Sequence, residues 1–324
     1  MKSKFLFWLL VIALLITARP AQAQQQKVHR IGVIMPGGPI AATIDGLRQG
    51  LADLGLQEGK QYTLTIKDTQ GDAKVAEEAA KIFEREKVNL IYAIASSVIK
   101  AAKDATQSVP IVFTIGIDPV AMGLVDEFAK PGGRLTGVHY LARDLTAKRL
   151  EILKEILPKL GRVVTIYDPN TRVAAEAAAL AREEAKRLGL KFIERHVNSV
   201  EELRKSLQAL KPGEFDAFFY TPDAMVVSQA QLIVDTAKAK KIPTMFQEQS
   251  LVAKGAFASY GQNFYEIGWL SAKYVQRVLA GTHPTELKIE TIDNVELAIN
   301  LQTAKQLGLT IPAQVLARAS KVIK

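Results

Sequence analysis

Short apolar segments typical of buried strands alternate with amphipathic helical segments along most of this chain of 324 residues. In the first half, each apolar stretch is followed by a helical pattern before the next apolar stretch begins. Strands are predicted at 28–35, 62–67, 90–95 and 111–114, and helices at 43–54, 73–86 and 96–106. Because strands that alternate with helices pair in parallel through right-handed crossovers, this run predicts one parallel α/β sheet.

The same alternation begins again in the second half of the chain. Strands are predicted at 162–167, 190–197, 217–220, 244–246 and 256–260, and helices at 146–157, 173–188, 200–210 and 225–240. The two runs share no evident sequence identity, so the repeat is one of architecture. The predicted fold class is therefore α/β, with two lobes that each contain a parallel sheet.

The stretch 111–137 joins the two runs. It opens with an apolar strand, turns at Asp118-Pro119, and continues as an apolar segment that predicts a short helix before Pro131-Gly132-Gly133. The glycines up to Gly137 predict turns that lead the chain out of the first lobe. The rest of the chain fits neither run, and its pattern predicts a helix at 264–280, a strand at 297–300, and helices at 302–307 and 312–324.

The first 23 residues have the pattern of a secretion signal. Lys2 and Lys4 precede an apolar stretch at 5–18, which is short for a membrane span, and Ala21-Gln22-Ala23 is typical of a cleavage site. We therefore expect a signal peptide that is cleaved after Ala23 and a mature protein that is exported to the periplasm. The alternative is an uncleaved membrane anchor.

Composition limits the chemistry that the chain can carry. Cys is absent, which excludes disulfides, thiol catalysis and Cys-ligated metals. The net charge is +9, but Lys and Arg are interspersed with Asp and Glu and form no basic run, so a nucleic-acid partner is not supported. We therefore expect a globular protein with no nucleic-acid partner.

No motif for catalysis, a cofactor or a metal is present. The four histidines are dispersed and have no metal-binding spacing. The glycine-rich turn after the first strand lacks the spacing of a dinucleotide or phosphate loop, and no Gly-x-Ser-x-Gly segment occurs. We expect neither a catalytic set, nor a cofactor, nor a metal.

Four stretches resemble the ABC transporter substrate-binding protein family that was first grouped around tryptophan/tyrosine-type uptake systems. They lie at 46–59 (GLRQGLADLG and then Glu58-Gly59), at 118–137 (DPV to PGG and TG), at 148–158 (KRLEILKEILP) and at 300–312 (NLQTAKQLGLTIP). Their order and spacing along the chain are also similar to those of the family. The resemblance covers nearly all of the chain after the signal sequence.

The resemblance implies a fold similar to type I periplasmic binding proteins, with two Rossmann-like lobes, three crossings between them and a ligand in the cleft. It implies an N-terminal lobe of residues 27–140 and 262–284, and a C-terminal lobe of 141–261 and 285–324. The partners that it implies are a small-molecule ligand and the membrane subunits of an ABC permease, with the binding protein itself a monomer.

Two positions depart from the family pattern. Members often have Asp-Asn where this chain has Asp223-Ala224, and an acidic residue where it has Asn263. One amide and one carboxylate near the expected cleft have therefore changed. The identity of the ligand cannot be transferred from the family.

Polar residues at the ends of predicted strands are the first candidates for ligand binding. Ser96 and Ser97 stand between a strand and a helix start, where free N–H groups and the helix dipole favour an anion; plain helix capping is the alternative. Asp118 and Asp223 each neighbour a proline at a strand end. Either carboxylate could pair with a ligand ammonium group, or serve only a turn, which we favour for Asp118.

Six further residues are candidates for the walls of the cleft. Gly37 would let the backbone approach a ligand, and the alternative is that it serves only a turn. The aromatic candidates end or follow strands, and the amide candidates would supply neutral hydrogen bonds. These five are Tyr140, Tyr167, Tyr220, Gln247 and Asn263.

The function predicted from the sequence is that of a periplasmic solute receptor of an ABC importer, which is not an enzyme. It would bind an amino acid, or an aromatic or other small organic acid, in the cleft between the lobes and deliver it to a permease. One alternative is a periplasmic sensing module that presents its ligand to a receptor kinase. The other is a secreted α/β enzyme, which the lack of a catalytic set disfavours.

Overall fold

A computed structural model describes residues 28–324, which form two lobes, each built on a twisted sheet. The predicted signal peptide lies outside the described residues. Strands of the first sheet are β1 (His29–Met35), β2 (Tyr62–Asp68), β3 (Leu90–Ile94), β4 (Ile111–Ile115), β5 (Leu135–Tyr140) and β11 (Glu290–Ile292). Their spatial order is β11-β5-β4-β3-β1-β2, and all neighbours are parallel.

The second sheet has seven strands. They are β6 (Arg162–Tyr167), β7 (Lys191–His196), β8 (Ala217–Phe219), β9 (Thr244–Phe246), β10 (Ala258–Gly261), β12 (Glu296–Asn300) and β13 (Lys321–Ile323). Their order is β13-β12-β10-β9-β8-β6-β7. Only β10 and β12 pair antiparallel, and the other neighbours are parallel. The predicted fold class of two α/β lobes with parallel sheets is confirmed.

Helices cover both faces of each sheet. In the first half of the chain they are α1 (Ala42–Asp53), α2 (Ala73–Arg85), α3 (Ser96–Ala105), α4 (Thr146–Ile156) and α5 (Arg172–Arg187). In the second half they are α6 (Val200–Gln208), α7 (Ala224–Ser228), α8 (Ala230–Ala239), α9 (Gln249–Ala253), α10 (Phe264–Leu279), α11 (Leu301–Gln306) and α12 (Ala313–Leu316). Short 3₁₀ turns occur at Gly38–Ala41 and Pro284–Glu286.

Burial explains why the central strands are apolar without alternation. Every residue of β3 and β4 is buried, because helices pack on both faces of these strands.

Capping side chains fix where several helices begin. The Asp72 carboxylate accepts hydrogen bonds from two N–H groups at the start of α2, and the Ser199 hydroxyl accepts one from Glu202 at the start of α6.

The chain passes between the sheets at three places. It leaves the first sheet after Tyr140 and returns after Gly261, where α10 packs on α1 and on the strands of the first sheet. It leaves again after β11, because β12 pairs with β10 in the second sheet. The first lobe is therefore completed by residues that follow most of the second lobe in sequence.

Glycines allow α10 to approach α1 closely. A Cβ atom on Gly46 would lie 1.9 Å from the Tyr265 carbonyl oxygen, and one on Gly268 would lie 1.9 Å from the Thr43 carbonyl oxygen. These two helices therefore touch backbone to backbone. This contact holds the returning segment against the first lobe.

The joining stretch differs from the prediction. The short helix expected after Asp118-Pro119 is wrong, because residues 119–123 form turns. Strand β5 was not predicted, since its glycines were interpreted as turns. Gly137 lies inside that strand, where a Cβ would be 2.0 Å from the Phe113 carbonyl oxygen, so glycine is required by the close approach of β4.

The C-terminal region also differs. The predicted helix at 312–324 is wrong: only Ala313–Leu316 is helical, and β13 then pairs with β12. Strand β11 was not predicted, and it extends the first sheet beside β5, whereas residues 285–324 were expected to belong to the second lobe. The helix predicted at 225–240 is divided at Gln229 into α7 and α8. These elements are short, and whether they form helix or strand depends on contacts with a neighbouring strand or with the other lobe.

The close packing of α1 on α10 predicts that one glycine substitution destabilises the protein and that a second, outside this contact, does not. Alanine normally favours a helix over glycine, but Gly46→Ala should lower the free energy of unfolding by about 2 kcal/mol or more, because its methyl group meets backbone atoms. Gly133→Ala is the matched control, since no atom lies within 4 Å of its Cβ position. Urea denaturation measures both, and an unchanged stability of Gly46→Ala would contradict the packing described.

Candidate functional site

A cavity of about 470 Å³ lies between the two lobes, at the carboxyl ends of the parallel strands. Both lobes line it. Its lining includes Ile40, Ala95, Ser96, Ser97, Gly116, Met122 and Tyr140 of the first lobe, Ala142 of the segment that crosses between the lobes, and Thr171, Arg172, Val173, Tyr220, Pro222, Asp223, Val227 and Gln247 of the second lobe. This volume is in the range of small-molecule sites.

The N-terminus of α3 faces the cavity without a side-chain cap. The N-cap residue is Ala95, with φ of 80°, and no side chain in the described part of the chain accepts a hydrogen bond from the first turn. The Ala95 N–H group donates to the Thr114 carbonyl oxygen, which fixes the end of β3 against β4. Ser96 and Ser97 therefore do not cap the helix, and their N–H groups and hydroxyls are available to an anion.

Asp223 lies on the opposite wall and is buried. One carboxylate oxygen accepts from the Val226 N–H group at 2.9 Å, and the other accepts from the Asp168 N–H group at 2.9 Å and the Thr171 hydroxyl at 3.4 Å. Burial raises the pKa of this carboxyl group, and its backbone hydrogen bonds oppose that rise. The side chain thus caps α7, ties the loop after β6, and still lines the cavity.

Two tyrosines form aromatic walls. The Tyr140 ring contacts the Phe264 ring edge-on at 5.4 Å, and the Tyr220 ring stacks on Phe246 at 5.5 Å. The Tyr220 hydroxyl is engaged with the backbone of Asp223, whereas the Tyr140 hydroxyl makes no hydrogen bond with the residues that the structure describes. Burial raises the pKa of both phenols, so both are neutral hydrogen-bonding groups.

Two buried ionisable side chains, Arg149 and Glu248, lie behind the part of the cavity wall formed by Tyr220 and Gln247, which we call the deep wall. Arg149 of α4 has no exposed surface, and its guanidinium donates to Gln247, the amide that lines the cavity. Burial lowers the pKa of Arg149 to about 10, so the guanidinium stays charged at neutral pH. Glu248 is also fully buried, and neither of its carboxylate oxygens makes a hydrogen bond within residues 28–324.

The two lobes are in contact around the cavity. A Cβ atom on Gly38 would lie 2.5 Å from the Val227 carbonyl oxygen, and one on Gly71 would lie 2.4 Å from the Met225 backbone. These first-lobe glycines therefore touch α7 of the second lobe. On another side, Arg172 of α5 donates to the Ala121 carbonyl oxygen of the first lobe at 2.9 Å. We call this arrangement, in which the lobes touch beside the cavity, the closed form.

Six of the ten residues predicted from the sequence line this cavity, and four lie outside its lining. The Asp118 carboxylate accepts from two N–H groups of its own turn, and Asn263 caps α10. The Tyr167 hydroxyl donates to Glu194, and Gly37 lies beside the Asp68 carboxylate. Local hydrogen bonds account for the first three of these side chains.

Sequence reasoning did not single out Arg149, Arg172 or Glu248. A basic residue in an amphipathic helix usually lies on the solvent face, so the pattern around Arg149 gave no sign of burial. The one available signal was its place in the 148–158 stretch of family resemblance. Glu248 follows the short strand β9, directly after a residue that was singled out, Gln247.

Burial raises the pKa of Glu248 to about 7 from 4.5, against the opposing influence of the Gln247 amide and the Arg149 charge. The native protein then binds this proton more tightly than the unfolded chain does. The stability that this group contributes is complete below pH 4.5 and is lost as the pH rises through 7.

Glu248→Gln should remove this pH dependence. The free energy of unfolding of the variant, relative to wild type, should increase by about 3 kcal/mol between pH 4.5 and pH 8, because glutamine is isosteric with the protonated acid. Urea denaturation across that range measures the difference, with the exposed Glu127→Gln as the baseline. A difference that does not vary with pH would show that Glu248 titrates as an ordinary carboxyl group.

Comparison with known proteins finds relatives that are similar to nearly the whole length of this chain. A tyrosine-binding protein of Clostridioides difficile is 29% identical over 295 residues, which cover 90% of this chain and 84% of the relative. A conserved domain protein of Vibrio cholerae is 31% identical with a TM-score of 0.82, over 91% of this chain and 100% of that structure. An ABC domain from Streptococcus pneumonia in complex with L-Trp has a TM-score of 0.80 at 23% identity, over 92% of this chain and 100% of that structure.

Solved type I periplasmic binding proteins share the fold, as the family resemblance of the sequence implied. No helix among residues 28–324 is long and apolar enough to cross a membrane. A model of the family described as ABC transporter substrate binding protein matches residues 30–323. Members of this family act outside the cytoplasm, and they bind solutes rather than transform them. The chain belongs to the ABC transporter substrate-binding protein family.

Proposed function

We propose that this protein captures an aromatic amino acid in the cavity between its lobes and delivers it to the membrane permease of an ABC importer. The observation that carries the proposal is the arrangement of three kinds of wall around one cavity. An uncapped helix N-terminus and a buried carboxylate lie on opposite lobes, and two tyrosine side chains line the same cavity.

The first-lobe wall suits a carboxylate. The free N–H groups at the start of α3 carry a partial positive charge, and the hydroxyls of Ser96 and Ser97 add donors. No acidic side chain caps this helix, so the position is open to an anion from outside. The α-carboxylate of an amino acid is such a group.

The second-lobe wall suits an ammonium group. Asp223 accepts three hydrogen bonds, and each carboxylate oxygen can accept more than one, so capacity remains for a cationic donor. A positive charge at that place would also stabilise the ionised form of a carboxylate whose pKa is raised by burial. The ligand would then contact both lobes at once.

The remaining walls suit an aromatic side chain. Tyr140 and Tyr220 present ring surface, and Ile40, Met122 and Val227 add apolar surface. The Tyr140 hydroxyl and the Gln247 amide offer hydrogen bonds to a polar edge of the ring. One relative is a tyrosine-binding protein and one similar structure contains L-Trp, which supports the same ligand class.

Calorimetric titration with ligand fragments tests this assignment of walls. L-Tyrosine and L-tryptophan should bind, and binding should raise the thermal midpoint by mass action. Tyramine lacks the carboxylate, and 3-(4-hydroxyphenyl)propionate lacks the ammonium group. Each should bind at least about tenfold more weakly than L-tyrosine, since a charged hydrogen bond is lost. Equal affinity for all three would contradict the proposal.

Asp223→Asn should weaken amino-acid binding by about tenfold or more, because it removes the charge while keeping an oxygen that can cap α7. The affinity for 3-(4-hydroxyphenyl)propionate should not fall, since this ligand has no ammonium group. Ser97→Ala should cost less affinity, because backbone N–H groups remain at the start of α3. A folded Asp223→Asn variant with wild-type affinity for both ligands would place the ammonium group elsewhere.

If binding requires the closed form, a substitution that separates the lobes should weaken ligand binding. Gly71→Ala should weaken binding by about tenfold or more, because its methyl group meets the Met225 backbone and lowers the population of the closed form. Gly59→Ala is the control: its φ of 82° is close to the 80° of Gly71, but no atom lies within 4 Å of the Cβ position. Both variants bear similar backbone strain, so only the inter-lobe contact distinguishes them.

Small-angle scattering and calorimetric titration measure these two glycine variants. Gly71→Ala should have a larger radius of gyration than Gly59→Ala in the presence of L-tyrosine. If the two variants bind equally well, the contact between Gly71 and α7 does not contribute to ligand capture.

A further inference from the structure

One buried side chain, that of Arg149, lies where the cavity wall meets two of the segments that carry the chain between the lobes. Its Nε donates to the Tyr260 carbonyl oxygen at 3.0 Å. Its two Nη groups donate to the carbonyl oxygens of Ala142 and Tyr220 and to Oε1 of Gln247, at 3.3 to 3.5 Å. Three of these four acceptor residues line the cavity.

The acceptors of Arg149 lie on separate parts of the fold. Ala142 follows β5, where the chain passes into the second lobe, and Tyr260 is in β10, just before the chain returns. Tyr220 and Gln247 follow the neighbouring strands β8 and β9. A planar guanidinium with five N–H donors can join all four, which a lysine ammonium group cannot do in the same geometry.

Arg149 does not line the cavity itself, so any effect on a ligand must pass through its neighbours. The most direct route is Gln247, whose amide oxygen is engaged by the guanidinium. The amide nitrogen is therefore the end that is left to donate. Behind this amide lies Glu248, which has no hydrogen-bond partner among the described residues and does not pair with Arg149.

We propose that Arg149 is a positioning residue for ligand binding, which acts through Gln247 and through the crossing segments at Ala142 and Tyr260. It holds the deep wall of the cavity in the geometry that receives the ligand, and it fixes that wall relative to the crossing segments at Ala142 and Tyr260. The choice of L-tyrosine as a probe rests on the proposed function. The role of Arg149 also has a readout that needs no ligand.

Arg149→Lys keeps a positive charge but loses the fork of donors, so it should raise the Kd for L-tyrosine by about tenfold. Leu153→Ala is the matched control: Leu153 is fully buried in the same helix, does not line the cavity, and should destabilise the protein by leaving a void. It should leave the Kd unchanged. If both variants weaken binding equally, Arg149 acts only through stability and the proposal fails.

A double-mutant cycle isolates the route through Gln247. In a Gln247→Met background, Arg149→Lys should change the Kd by no more than about threefold, because the amide that it positions is gone. A tenfold change in both backgrounds would overturn that route. If Arg149→Lys does not fold, an unchanged Kd for Gln247→Met would still overturn the proposal, because the amide through which Arg149 acts would then make no difference to binding.

The distance between the lobes provides the readout without a ligand. Because the chain contains no Cys, spin labels can be attached at two introduced cysteines, Glu78→Cys on α2 and Glu183→Cys on α5, both at exposed positions. In ligand-free protein, Arg149→Lys should broaden the distance distribution and Leu153→Ala should not. If wild type binds neither L-tyrosine nor L-tryptophan, the proposed function fails, and an unbroadened distribution would separately overturn the role of Arg149.

Discussion

The guanidinium of Arg149 is a buried cation that is solvated mainly by backbone carbonyl oxygens rather than by a paired carboxylate. Removing a cation from water is costly unless such partners replace its hydration. These carbonyl oxygens surround the guanidinium only when α4, the ends of β8 to β10 and the segment after β5 are folded together. The deep wall of the cavity and two of the crossing segments are therefore held together by one requirement: the buried charge of Arg149 must keep its hydrogen-bond acceptors. Glu248 lies nearby without a hydrogen-bond partner among residues 28–324, and it makes the same region sensitive to protonation near neutral pH.

Closed lobes explain how a small cavity can be selective. Gly38 and Gly71 let the first lobe touch the backbone of α7, and Arg172 bridges the lobes on another side. A ligand that contacts Ser97 on one lobe and Asp223 on the other would favour this closed form, because those contacts exist together only when the lobes meet. Affinity then depends on closure as well as on each hydrogen bond. A residue that never touches the ligand can therefore change its binding.

The periodicity of the sequence was sufficient to predict the two α/β lobes, because long apolar strands and amphipathic helices are local signals. Strand β5 was missed because Gly137 suggests a turn, whereas only the neighbouring β4 shows why glycine is needed there. Ser96, Ser97 and Asp223 could be placed at the cleft because the carboxyl ends of parallel strands converge. Asp118 and Asn263 carry the same local signal, but their polar atoms are used by their own turn or helix. Arg149 could not be predicted, since its burial depends on contacts with residues 7 to 111 positions away.

The most direct test of the central claim is a crystal structure of the protein grown with L-tyrosine. The account predicts electron density for the amino acid between the lobes, with its carboxylate at the N–H groups of Ser96 and Ser97. Its ammonium group should lie within hydrogen-bonding distance of Asp223, and its ring should lie between Tyr140 and Tyr220. Density for the ligand outside this cavity, or inside it with the carboxylate against Asp223, would contradict the account.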